Sequence, residues 1–161
     1  MIKVNDLWFH YTAGKDVLKD ISFAVQQGER LALLGHNGSG KTTLVKHLNG
    51  LLRPSRGALT ICGKSTEDKR VAELAGMVAL QFQNPDDQIC KGTVWEEVTF
   101  GPRNLGYPEE RMRTLVNASL DVFELLPMTQ RNPHDLGLSE RKRLSMASVM
   151  SMDTDIVVLD E

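Results

Sequence analysis

The sequence predicts an α/β fold: a core sheet that carries a glycine-rich loop, an antiparallel strand layer near residues 1–30 and 57–63, and a helical insert near 85–150. Three observations predict it. Strand patterns fill the first 34 residues, recur at 58–62 and 76–82, and return after a helical stretch only at 156–159. A glycine-rich stretch, Gly35–Thr42, stands between a strand pattern and a helix pattern. The region between about Pro85 and Met150 reads at helical spacing.

The elements follow in order. Leu7, Phe9 and Tyr11 alternate with Trp8 and His10, and Ile21, Phe23 and Val25 alternate with polar neighbours or Ala. Leu31–Leu34 is a short apolar run of the kind a buried central strand needs. A helix is expected from about Lys41 to Leu52, stopped by Pro54. Ala58–Cys62, between Gly57 and Gly63, and Gly76–Phe82 are further strands. Pro108 sits where the first turn of a helix tolerates proline, and Leu115, Val116, Leu120, Phe123 and Leu126 then recur at helical spacing. Another helix runs from about Ser139 to Met150, and Ile156–Leu159 is a continuous apolar strand followed by Asp160 and Glu161.

Composition narrows the function classes. The 161 residues fit one domain, 1–161, and 41% apolar with 25% charged residues allow a sizeable core. A net charge of −2 gives no reason to expect nucleic acid or an anionic membrane surface as partner. Cys62 and Cys90 have no metal-type spacing and fit a reducing compartment. The opening MIKVNDLWFH does not read as a signal peptide, and no apolar run approaches the ~18–20 residues that span a bilayer.

Gly35-His36-Asn37-Gly38-Ser39-Gly40-Lys41-Thr42 matches the P-loop pattern G-x-x-x-x-G-K-[ST]. Glycines let the backbone turn tightly and bring successive N–H groups onto phosphate oxygens. The following helix points its positive dipole end at the same anion. Lys41 supplies a mobile charge to the β- and γ-phosphates, and Thr42 a hydroxyl to Mg²⁺. The nucleotide set expected here is Gly35, Asn37, Gly38, Ser39, Gly40, Lys41, Thr42 and Thr43. His47 and His134 show no ligand spacing and are expected to be structural.

A P-loop alone does not name a function. The strand Ile156–Leu159 with Asp160 and Glu161, the stretch Gln81-Phe82-Gln83-Asn84-Pro85 and the placement of Tyr11 together resemble an ABC-type ATPase. Thr93-Val94-Trp95-Glu96-Glu97-Val98, Phe100–Gly106 and Gln83–Gln88 are similar to the ATP-binding subunits of energy-coupling factor importers, the cobalt, nickel and vitamin uptake group. The resemblance implies a P-loop NTPase core with an antiparallel β layer and a helical subdomain at about 85–150, an N-terminal portion of a longer domain. It implies ATP and Mg²⁺ as cofactors. Asp160, Thr42 and Gln83 would serve the metal, Glu161 would be the general base with Gln83 beside the water, and Tyr11 would stack on adenine. It also implies a motor on the cytoplasmic face of the membrane, docked on a transmembrane partner and closing head-to-tail with a second ATPase.

The chain departs from the family where a helix N-terminus usually reads L-S-G-G-Q. Here it reads Leu136-Gly137-Leu138-Ser139-Glu140, with Ser139 able to cap the helix. That segment acts in trans, so the expectation is a non-identical partner ATPase. The competing class is a soluble ABC ATPase of translation or DNA repair; neither a basic linker nor coiled-coil heptads occur here.

Overall fold

The structure, a computed structural model, describes residues 1–160. It divides into two compact units, Met1–Met77 and the chain from Val78 onward.

The first unit is built on an antiparallel sheet. Strands β1 (Ile2–Thr12) and β2 (Lys15–Val25) form a hairpin, and β3 (Arg56–Ile61) pairs with the other edge of β1, followed by the short β4 (Lys64–Ser65). The apolar alternation of β1 changes phase midway: Ile2 and Val4 are buried, then Leu7 and Phe9. An extra residue in β1 between Val4 and Leu7 causes this, since these two face Phe23 and Ile21 across the hairpin. The bulge contains Asp6 at φ 47°. The matching irregularity in β2 contains Asp20 at φ 50°, so the two strands stay in step. On the other side Ile2 faces Ile61 and Val4 faces Leu59, four buried side chains on one face of the sheet. Gly57 is required by the bulge: at φ 91° it lies against the Asp6 carbonyl, which a Cβ would meet at 2.2 Å.

Helix α1 (Lys41–Leu48) buries Leu44, Val45 and Leu48, and a short helix α2 (Val71–Ala75) buries Leu74. The expected end of α1 near Leu52 is four residues too late. Residues 31–34 do not form a strand, contrary to expectation. A strand is held by ladder partners, not by the apolarity of its own residues. No strand of this unit pairs with 31–34, and Leu31 and Leu34 are 50% and 92% exposed.

In the second unit β5 (Val78–Gln81) and β6 (Ile156–Leu159) pair in parallel, Val78 opposite Ile156 and Gln81 opposite Leu159. Three helices lie between them in the chain: α3 (Val94–Asn104), α4 (Glu109–Val122) and α5 (Leu138–Met150). Each contributes residues a turn apart to one core, namely Val94 and Val98, Met112, Val116 and Leu120, and Leu144 with Ala147. Pro102 lies inside α3 and cannot donate to the Val98 carbonyl. The Ser151 hydroxyl does so instead, at 2.8 Å. Among the described residues no helix is long and apolar enough to cross a membrane.

Candidate functional site

The glycine-rich loop at 35–42 owes its shape to two glycines in the left-handed region. Gly38 has φ 80° and Gly40 φ 95°, conformations that cost any residue with a Cβ. Gly40 is also the N-cap of α1. A Cβ there would meet Leu18 Cδ2 of β2 at 2.9 Å, and one at Gly35 would meet Ser39 Oγ at 2.7 Å. The Ser39 N–H closes a turn on the His36 carbonyl at 3.2 Å. The first intrahelical bond of α1 runs from Leu44 N–H to the Gly40 carbonyl, 2.8 Å. The N–H groups of residues 41–43 therefore belong to the helix end and not to its ladder, and a helix end of this kind can receive an anion.

Lys41 folds back over this loop. Its Nζ donates to the Gly35 carbonyl at 2.7 Å and the His36 carbonyl at 3.1 Å. The ammonium is thus held at the rim of the turn that its own motif builds. Tyr11, at the end of β1, is 61% exposed, and its hydroxyl lies 3.2 Å from Thr43 Oγ1. Its ring meets Phe9 edge-on at 4.8 Å, and Phe9 meets His47 edge-on at 4.7 Å. The buried His47 donates its Nδ1–H to the Thr43 carbonyl, 2.7 Å. Burial holds its pKa below the ordinary value of 6.5, against the opposing pull of its backbone bonds to Thr43 and Arg53, so the ring is neutral at pH 7. His47 is a packing residue, as its spacing suggests.

The second unit carries the other expected groups. Because β5 and β6 are parallel, both end at the same edge of the pair. The Asp160 N–H donates to the Gln81 carbonyl at 3.1 Å, which fixes Asp160 at that edge, and Gln83 is exposed two residues beyond Gln81. Glu161 lies outside the described residues.

The stretch 136–140 opens α5, with Gly137 as N-cap. Ser139 is not the cap. It sits inside the first turn because the Glu140 carboxylate accepts the Gly137 N–H at 2.7 Å and does the capping. Leu138 is 56% exposed.

Two residues of this unit have roles that sequence spacing does not single out. Glu97, 3% exposed, accepts the N–H groups of Cys90 and Lys91, both at 2.8 Å. Its position one helical turn from Val94, on the buried face of α3, is the signal that was available. Gln88 makes three side-chain hydrogen bonds. A glutamine after two aspartates gives no hint of that.

Comparison with known proteins fits this geometry. Residues 18–161 match the family described as ABC transporter. Over the whole chain the sequence is 47% identical to a putative ABC transporter ATP-binding protein of Pyrococcus horikoshii. It is 42% identical to the energy-coupling factor transporter ATP-binding protein EcfA of Methanocaldococcus jannaschii. The chain spans 62% and 58% of the lengths of these two relatives. Among solved structures, cbiO1 of Clostridium perfringens, part of the ABC transporter complex cbiONQ, superposes with a TM-score of 0.85 at 33% identity, over 99% of this chain and 64% of that one.

Proposed function

Since this chain belongs to the ABC transporter family, we propose that it is the ATP-binding part of an ABC importer motor of the energy-coupling factor type. The carrying observation is the loop that opens α1, with Gly38 and Gly40 left-handed and Lys41 folded over it. In this reading the N–H groups at the start of α1 and the Lys41 ammonium hold the β- and γ-phosphates of ATP. Tyr11, tied to Thr43, offers its ring face to adenine.

In the same reading Thr42, Asp160 and Gln83 would serve the metal with a hydroxyl, a carboxylate and an amide oxygen. Such hard oxygen donors suit Mg²⁺, which is commonly bound through one or two protein groups and the phosphates themselves. When bound, Mg²⁺ neutralises charge on the phosphate oxygens. Gln83 orients the attacking water and Glu161 takes its proton. ATP hydrolysis is then a matter of positioning and charge, which this set provides.

The transport half of the proposal rests on the relatives' names and on the stretches 83–88 and 93–106. In this structure those stretches form the turn after β5 and the helix α3. The exposed turn carrying Asp86 and Asp87 would meet a cytoplasmic segment of a transmembrane partner. The motor itself would be peripheral, on the cytoplasmic face.

The start of α5 supports a non-identical partner ATPase. Glu140 already occupies the Gly137 N–H that a phosphate of the partner's ATP would otherwise take, and a carboxylate there repels the anion. The test is a cysteine placed at Asp87 in the full-length protein and cross-linked in intact cells. Capture of a membrane-spanning protein supports the importer reading. Capture of ribosomal or DNA-repair proteins replaces it with the soluble class.

A further inference from the structure

After β5 the chain makes a single 3₁₀ turn, Pro85–Asp87, and Gln88 then reaches back. Its Oε1 accepts the Phe82 N–H at 3.1 Å, while its Nε2 donates to the Ser145 carbonyl and the Ser148 hydroxyl, both at 2.8 Å. Ser145 and Ser148 are buried on α5. A carboxamide is the side chain for this place, because it presents one acceptor and two donors on one flat group. A second link runs from the same turn. Asp86 Oδ1 pairs with Arg141 Nε at 3.1 Å, and another Arg141 nitrogen donates to the Leu136 carbonyl at 2.7 Å. Downstream, the Glu97 carboxylate holds Cys90 and Lys91 to α3. Residues 82–91 are therefore a bracket fastened to helices at several points.

We propose that Gln88 is a positioning residue that couples the loop of Gln83 to α5 at Ser145 and Ser148, with Asp86–Arg141 as a second strap at the first turn of that helix. The inference rests on the ATPase reading above. There, Gln83 serves the nucleotide on this chain's own P-loop, and residues 136–140 face the nucleotide of the partner chain. Displacing the loop without α5 would strip Gln88 Nε2 of the Ser145 carbonyl and the Ser148 hydroxyl that it holds. Loop and helix therefore shift together, and the occupancy of one ATP site reaches the other through a single chain.

The first arm of the test needs no nucleotide. Amide hydrogen exchange is compared in the 161-residue chain and its Gln88→Glu variant. The carboxylate still accepts from Phe82 but opposes the Ser145 carbonyl. Exchange should quicken about fivefold both at residues 82–83 and in α5 around Ser145 and Ser148. The exposed Asp86→Asn should shift both segments in the same sense, which guards against a Gln88 variant that fails to fold. No response at α5 overturns the coupling.

The second arm follows ATP hydrolysis against ATP concentration in the full-length protein. The Hill coefficient should drop towards about 1 in Gln88→Glu, with nucleotide affinity within about threefold. A merely structural role would lower the melting temperature and leave the Hill coefficient alone. An unchanged coefficient, or a non-cooperative wild type, also overturns the coupling. Absence of ATP binding in the wild type would instead remove the ATPase reading, and the first arm would still decide whether the bracket joins loop to helix.

Discussion

The Tyr11 hydroxyl and the Thr43 hydroxyl lie 3.2 Å apart, so the last aromatic of the first strand is tethered to the helix that opens at the phosphate loop. The tether separates two roles of Tyr11. Tyr11→Phe removes it and keeps the ring face. ATP affinity, measured by calorimetry, should then change by less than about threefold. Tyr11→Ala removes the face itself, worth ~1–3 kcal/mol if it stacks on the base. Affinity should fall at least fivefold while a ribose triphosphate lacking the base binds as before.

Lys41→Ala should weaken ATP binding at least tenfold, about 1.4 kcal/mol, in the same assay. Two effects act together. The charge near the phosphates is lost, and so are the bonds from Nζ to the Gly35 and His36 carbonyls that hold the loop closed. Lys41→Met, of similar length and uncharged, should bind no better than the alanine variant.

Glu161→Gln in the full-length protein should keep ATP affinity and lose most turnover, because the amide cannot accept the proton of the attacking water. Single-turnover hydrolysis checks this. Wild-type turnover would remove Glu161 from the mechanism.

Acidification should expose His47. Its folded pKa is lowered by burial, so the unfolded chain takes up the proton first. Stability is full above the ordinary value of 6.5 and is lost as pH falls from there through the folded value. Melting temperatures of the chain should therefore drop between pH 7 and about pH 5 more steeply than those of His47→Gln, which starts lower but has no proton to gain. Parallel curves would mean that His47 does not control this window.

The start of α5 should limit one site of the proposed heterodimer. Gly137→Ser, Leu138→Gly and Ser139→Gly together should speed hydrolysis at the partner's P-loop and leave this chain's own site nearly unchanged. Glu140→Gln alone should move the same rate upward, because it frees the Gly137 N–H of a competing negative charge. Single-turnover assays with one P-loop lysine disabled at a time resolve the two sites. Equal rates before any substitution would contradict the asymmetry.

Local signals were legible where backbone chemistry is local. The bounds of β6 agree residue for residue with the apolar run 156–159, and α5 starts one residue before the expected Ser139. The phosphate loop is readable because left-handed turns demand glycine at fixed positions. What was not legible depends on partners distant in the chain. Residues 31–34 look like a strand, but a ladder is made by neighbours. The helical insert is readable as a whole, yet α3 does not stand out in it. Pro102 argues against a helix, and only the Ser151 hydroxyl, far along the chain, makes it tolerable. The same holds for Ser139, a good cap by type, displaced by a carboxylate one residue further on.

Leu18 packs within 2.9 Å of where a Cβ would stand on Gly40. The curvature of the nucleotide loop is thus partly moulded by a side chain outside every motif that would be searched for. For engineering, this makes position 18 a tuning screw. Smaller or larger aliphatic residues there would relax or press the loop and retune affinity while the signature glycines stay in place. Screens confined to the motif would never sample it, and natural variation at that position could masquerade as neutral drift.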